Sequence, residues 1–291
     1  MADVARVDAP AKINLRLRIL GREESGYHSL ETLFCAVSLA DHVEVRRGKP
    51  GVRLHANGDV AMGPPEQNLA VRAAETFARW MGEEPAVDIH LTKRIPAAAG
   101  LGGGSSDAAA VLRALNALRD EPLPTQFLLT MAGDLGSDVP FFLCGSPLAL
   151  AWGRGHRLLA LPPLPSREVL IAHPGVAMPT AEAFRQHDEG RGEGYSVSPE
   201  SLTLDAVTRW DAITARPEND FEPVVEAAHP VVAEVREVMR NADMAMLSGS
   251  GSCVFGIFGR EYEIYDAERR LSEMGVKTWR VRTLEREPRV G

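Results

Sequence analysis

The segment at residues 96–107, "PAAAGLGGGSSD", constrains this chain most, because it joins an alternating strand over 87–91 to a helix. In that helix Ala108, Val111, Leu112, Leu115 and Leu118 recur at i, i+3, i+4, i+7 and i+10, on one face. Gly100, Gly102, Gly103 and Gly104 remove side chains, so backbone N–H groups can approach an anion closely. Ser105 or Ser106 is placed to cap the helix, whose N-terminus adds unpaired N–H donors and the positive end of the dipole. The unit reads as a phosphate cradle. It is not a Walker A loop, since no Lys follows the glycines ahead of the serines, and it lacks the Gly-x-Gly-x-x-Gly spacing of dinucleotide binders.

The chain has 291 residues, enough for two domains of about 150 residues each. β-Branched and apolar stretches over 4–20, 43–45 and 52–54 read as strands, and Leu69, Ala73 and Phe77 mark an amphipathic helix over 68–81. Thr125 is placed to cap a helix that Gly136 stops, and 141–161 reads as short strands broken by Gly145, Gly153 and Gly155. The proline-rich stretch 162–166 is the linker, giving domains 1–163 and 164–291. Beyond it, strands over 168–173, 244–247, 253–258 and 276–281 alternate with helices in 180–240 and 261–274. With the first helical region counted as one crossover, the order is β-α-β-β-α-β, the ferredoxin-like arrangement. Residues 189–198, rich in Gly and charge, read as a mobile excursion.

A net charge of −8 argues against binding a nucleic-acid backbone. No apolar run approaches the roughly 20 residues of a membrane helix. Cys35, Cys144 and Cys253 suggest neither a disulfide framework nor a zinc site. Residues 1–9 do not read as a signal or transit peptide, so a cytoplasmic protein is expected. The oligomeric state stays open between monomer and homodimer.

Other segments each admit two readings. "LSGSGS" at 247–252 is either a hairpin turn or a second glycine-rich wall of the same site. Asp138 in "LGSDVPFF" is either a turn former or a functional carboxylate. In "PAKINL", Lys12 and Asn14 share one strand face, with Ile13 and Leu15 on the other; Lys12 is either a solvated edge charge or a functional cation. Tyr27 and His28 belong either to an ordinary surface loop or to a binding site.

Taken in order, "PAKINL", "GYHSLETLF", "PAAAGLGGGSSDAA", "LGSDVPFF" and "LSGSGSCVF" resemble the motifs of the superfamily named for galactokinase, homoserine kinase, mevalonate kinase and phosphomevalonate kinase. The resemblance runs from about residue 9 to residue 258. It implies an α+β fold: an N-terminal domain like one in a small-subunit ribosomal protein, a ferredoxin-like C-terminal domain, and an active site in the cleft between them. It implies a small-molecule kinase using ATP and magnesium. "GYHSLETLF" and "LGSDVPFF" point to the branch acting on the tertiary 2-hydroxyl of a cytidine diphosphate-linked methylerythritol, a step of non-mevalonate isoprenoid synthesis. The alternative is a sister kinase acting on homoserine, mevalonate or a sugar.

Carried over by position, Asp138 is the base for the acceptor hydroxyl and Lys12 its cationic partner. Pro96, Ala97, Ala98, Ala99, Gly100, Leu101, Gly102, Gly103, Gly104, Ser105 and Ser106 wrap the ATP phosphates, with Lys93 and Asn68 toward the adenine. Tyr27 and Phe184 flank the cytosine, Asn14 and His28 hydrogen-bond the cytidine, and Thr180 is a further substrate contact. Magnesium ligands are not legible. The chain departs from the usual pattern at Ala97 and Ala98, near which many relatives carry glycine.

Overall fold

A computed structural model describes residues 3–58, 67–191 and 202–291. The first half builds β1 (Val4–Arg22), β2 (His28–Arg47), β3 (Gly51–Asn57), α1 (Leu69–Met81), β4 (Ala86–Thr92), α2 (Gly103–Ala117) and α3 (Thr125–Leu135). A 3-10 turn at Val139–Leu143, β5 (Leu148–Gly153) and β6 (Arg157–Ala160) complete it. The strands form one sheet in the order β3-β4-β2-β5-β6, with β1 paired to β2. The β3–β4 pair is parallel and the other pairings are antiparallel. Residues 162–166 then lead into a second sheet.

That second sheet contains β7 (Glu168–His173), β8 (Met244–Leu247), β9 (Val254–Phe258) and β10 (Lys277–Arg282), in the order β10-β7-β9-β8. All its pairings are antiparallel, so the expected ferredoxin-like winding is present. Between β7 and β8 lie α4 (Thr180–Arg191), α5 (Leu204–Thr208), α6 (Trp210–Thr214), α7 (Glu222–Ala228) and α8 (Pro230–Val238); α9 (Glu261–Glu273) precedes β10. No helix among the described residues is long and apolar enough to cross a membrane.

The cores stack in layers. One face of the first sheet packs on α1, α2 and α3 through residues such as Val43, Ile89, Ala108 and Leu112. Its other face, with Ile13, Leu15, Leu33 and Val37, meets Val169, Ile171, Phe255 and Ile257 of the second sheet. The outer face of the second sheet, including Leu170 and Val254, is covered by helical residues such as Val235, Ile264 and Leu271. Period-2 alternation therefore sends Ile13 and Leu15 into the core between the sheets and leaves Lys12 and Asn14 on the opposite face. That face is not solvated here: Lys12 is only 3% exposed.

Some local expectations are corrected. Helix α2 starts at Gly103, because Gly102 takes a left-handed φ of 70° as N-cap and Ser106 N–H already donates to the Gly102 carbonyl. Ser105 and Ser106 therefore lie inside the first turn and cap nothing. Thr125 is the first residue of α3, with Pro124 in the cap position. Residues 141–143 belong to the 3-10 turn that begins at Val139 and carries Pro140, with its fixed φ, at its second position. Helix α4 runs on to Arg191, so residues 189–191 are helical; residues 192–198 of the excursion expected there lie outside the described residues.

Candidate active site

A cleft of about 600 Å³ is lined from both halves of the molecule, by Lys12, Asn14, residues 96–105 and Asp138 on one side and Thr180, Phe184, Phe221, Gly249 and Ser250 on the other. The glycine-rich segment forms one wall. Its backbone is fixed by contacts that exclude side chains: a Cβ on Gly100 would lie 1.9 Å from the Ser248 carbonyl oxygen, and one on Gly103 would lie 2.9 Å from Ile95 Cγ2. Past Gly102 the opening N–H groups of α2 lack intrahelical acceptors, so this wall presents donors and a positive dipole end. "LSGSGS" is thus part of the site. Ser248 Oγ donates to the Gly100 carbonyl at 3.0 Å, and Cys253 N–H donates to the Ala99 carbonyl at 3.2 Å.

Lys12 lines the cleft between the glycine segment and Asp138. Its Nζ donates to Asn14 Oδ1 at 2.7 Å and to the Gly100 carbonyl at 2.8 Å, and lies 3.7 Å from Asp138 Oδ2. Burial pushes its pKa below the ordinary lysine value, while the Asp138 carboxylate works in the other direction. Asp138 sits in the turn after α3, and the buried residues Val139, Pro140, Phe141 and Phe142 that follow anchor that turn. Phe141 packs against Phe34 of β2 with ring centroids 5.0 Å apart. The hydrophobic half of "LGSDVPFF" therefore sets where the carboxylate points.

Lys93 lines the cleft, but its ammonium is bound to Asp41 and, at 2.7 Å, to Asp107. Asp41 also accepts from the Ile95 N–H at 2.9 Å. The trio ties the start of the glycine segment to α2 just past its first turn. Burial raises the Asp107 carboxyl above the usual range, against the pull of Lys93. Asn68 caps α1, accepting from Ala70 N–H at 2.9 Å, and also lines the cleft.

Ala98 has a positive φ of 50°, where an L-residue with a Cβ is strained by roughly 1–2 kcal/mol. Ala98→Gly is expected to stabilise the protein by about 0.5–1 kcal/mol, after the larger unfolded-state entropy of glycine is subtracted. Urea unfolding measures this, and an unchanged or lower midpoint contradicts it.

At the far end, Phe184 stacks on His28 (centroids 4.3 Å apart, planes at 15°) and meets Phe221 edge-on at 4.9 Å. His28 Nε2 is 2.8 Å from Asp188 Oδ1. Tyr27 is 59% exposed, with the Arg154 guanidinium 4.0 Å above its ring. Tyr27 and His28 are one contact removed from the cleft wall, which Arg154 and Phe184 themselves line. Thr180 Oγ1 lies 2.9 Å from Ser250 Oγ. Sequence reasoning passes over Arg154, Phe221, Thr32, Asp41 and Asp107; only Asp107 carries a signal, its place at the end of the glycine motif.

A deep cleft walled by glycine-rich backbone, with a buried lysine facing a carboxylate, is the architecture of a phosphotransferase, and the profile of the "GHMP kinases N terminal domain" matches residues 68–146. The profile "GHMP kinases C terminal" matches residues 205–277. A 4-diphosphocytidyl-2-C-methyl-D-erythritol kinase of Geobacter sp. (strain M21) is 40% identical over 257 residues, 87% of this chain and 89% of the relative. One of Moorella thermoacetica is 40% identical over 288 residues, 97% of this chain and 100% of the relative. A crystal structure of 4-(cytidine 5'-diphospho)-2C-methyl-D-erythritol kinase superposes with TM-score 0.76 at 37% identity, covering 96% of this chain and 98% of that one. A homoserine kinase from Cytophaga hutchinsonii shares the fold at TM-score 0.73 and 20% identity, covering 100% and 98% of the two chains. The chain belongs to the GHMP kinases, and within them to the family of 4-diphosphocytidyl-2-C-methyl-D-erythritol kinases.

Proposed function

We propose that the chain transfers the γ-phosphoryl group of ATP to the 2-hydroxyl of 4-diphosphocytidyl-2-C-methyl-D-erythritol, releasing ADP. The observation that carries the mechanism is the 3.7 Å approach of Lys12 Nζ to Asp138 Oδ2 inside the glycine-walled cleft. The acceptor oxygen attacks the γ-phosphorus, the bond to the bridging oxygen of ADP breaks, and the hydroxyl proton passes to Asp138. Lys12 places positive charge where the phosphoryl oxygens pass. Such transfers have loose transition states, so positioning and electrostatics do most of the work. Residues 96–106 hold the phosphates, and Lys93 and Asn68 shape the adenine end.

A bound magnesium ion would supply charge neutralisation to the transferring phosphates, with Ser106 as the residue of this chain that could face it. Among the described residues no cluster of three or more His, Cys, Asp or Glu could hold a metal. Ser106 Oγ is buried without a hydrogen-bond partner, an oxygen of the kind a hard cation accepts, so the donor set fits an ion held mainly by phosphate and water.

On this reading Phe184, Tyr27, His28 and Thr180 recognise the cytidylyl end, remote from the reacting hydroxyl, where binding energy orients the acceptor; Asn14, expected there from the resemblance, is instead hydrogen-bonded to Lys12 Nζ at the reacting end. Phe184→Ala is expected to raise the KM for this substrate roughly 5- to 150-fold, since base stacking contributes about 1–3 kcal/mol. An unchanged KM removes Phe184 from the base site. The function itself is tested by coupled ADP release with ATP, magnesium and 4-diphosphocytidyl-2-C-methyl-D-erythritol, beside mevalonate, homoserine and galactose. Turnover with the cytidylyl substrate alone is expected; turnover with another alcohol would transfer the chain's function to a sister kinase.

A further inference from the structure

We infer that Thr32 is a positioning residue that fixes which end of the Asn14 amide faces Lys12, and so keeps Lys12 charged; the inference rests on the phosphoryl-transfer role given to Lys12 above. Three consecutive hydrogen bonds carry it. Thr32 Oγ1 is 2.7 Å from the Arg16 carbonyl, which can only accept, so the hydroxyl proton is committed there. The hydroxyl oxygen is then left as an acceptor, and the Asn14 group 2.7 Å from it must be the NH2. The other end of the same amide, Oδ1, is thereby turned to Lys12 Nζ at 2.7 Å.

Thr32 and Asn14 are each 1% exposed, which makes water a poor substitute for any of these partners. The backbone prepares the relay. The β1–β2 register shifts between Asn14 and Arg16, so that Asn14 pairs with Phe34 and Arg16 with Leu33, a bulge at Leu15 of the kind that re-aims side chains near active sites.

The consequence falls on Lys12. Its ammonium has three donors, and Asn14 Oδ1 and the Gly100 carbonyl take two of them, leaving the third for the cleft. Both acceptors favour the charged form. A reversed Asn14 amide would present N–H to Nζ and favour the neutral amine, adding to the burial that already lowers the lysine's pKa. The groups facing Nζ are Asn14 and Phe34 from the strands, Gly100 from the glycine segment, the uncharged Gly249 backbone from the 247–252 segment and, as the one titratable group among the described residues, Asp138 from the turn after α3.

The test is the pH profile of kcat for the full-length enzyme with ATP, magnesium and the cytidylyl acceptor. The wild-type rate is expected to fall at high pH as Lys12 loses its proton. In Thr32→Val the hydroxyl is gone, and we expect kcat to fall about tenfold or more, with the basic limb moved to lower pH by about one unit. Thr32→Ser keeps the hydroxyl and should restore the wild-type limb. In an Asn14→Asp background both carboxylate oxygens accept, no orientation remains to be set, and adding Thr32→Val should leave the limb where it was. A structural role alone would lower thermal stability and leave the limb in place in every variant, which overturns the inference. If Thr32→Val does not fold, Thr32→Ala gives the same reading with less strain on packing. An inactive wild type, or an active Lys12→Ala, instead overturns the catalytic reading beneath it.

Discussion

Lys12→Ala is expected to lower kcat by about three orders of magnitude while the KM for ATP changes little. The truncation removes the buried cation facing Asp138 but spares the backbone cradle, because the Gly100 carbonyl keeps its second donor, Ser248 Oγ. Asp138→Asn has the same shape and keeps an acceptor oxygen, so the comparison separates two roles for the carboxylate. If Asp138 takes the proton, the amide costs about 10²–10⁴ in kcat; if it only orients the hydroxyl, most of the rate survives. The pH profile adds a signed consequence. Asp138 raises the Lys12 pKa against burial, so its replacement must move the basic limb of kcat to lower pH. The double variant should be little worse than the poorer single one, since the pair acts as a unit. Rapid-mix ADP release measures all three proteins, and near-wild-type turnover of Lys12→Ala would remove it from the chemistry.

How far this site can be read from sequence depends on whether a residue's neighbours are local. The period-2 pattern of "PAKINL" places Lys12 and Asn14 on one face, and Ile13 and Leu15 do reach the inter-sheet core. The helical spacing after residue 107 likewise identifies α2. Helix starts escape the sequence pattern where glycine or proline geometry displaces a side-chain cap, as at Gly102 and Pro124. Partners distant in sequence leave no such trace. Asp41 on β2 meets Lys93 only because β2 pairs with β4, and Arg154 covers Tyr27 only because β5 lies beside β2. The pairing of Asp138 with Lys12 is implied by the family resemblance and not by residue spacing, since the 3-10 turn and its buried phenylalanines make that approach.

The glycines of the loop answer to two different demands, and two alanine substitutions separate them. Gly100→Ala forces a Cβ to within 1.9 Å of the Ser248 carbonyl oxygen and 3.2 Å of Gly251 N, both backbone atoms that cannot rotate away. It also places a Cβ at a φ of +76°. The left-handed backbone costs about 1–2 kcal/mol and the overpacking about 1–3 more, so a loss of roughly 3 kcal/mol is expected in urea unfolding. The same carbonyl that anchors Lys12 belongs to Gly100, so turnover should fall at least a hundredfold, by order of magnitude, even in protein that stays folded. Gly104→Ala is the converse. Its Cβ would find only Leu69 Cδ1, at 3.8 Å, and it lies in α2, where alanine is the better helix former by up to about 1 kcal/mol. Its stability should hold or rise. Yet Gly104 lines the cleft, so the added methyl should keep the phosphates from the first N–H groups of the helix and raise the KM for ATP. If Gly104→Ala binds ATP as the wild type does, the phosphates do not lie on that turn, and the start of α2 loses its place in nucleotide binding.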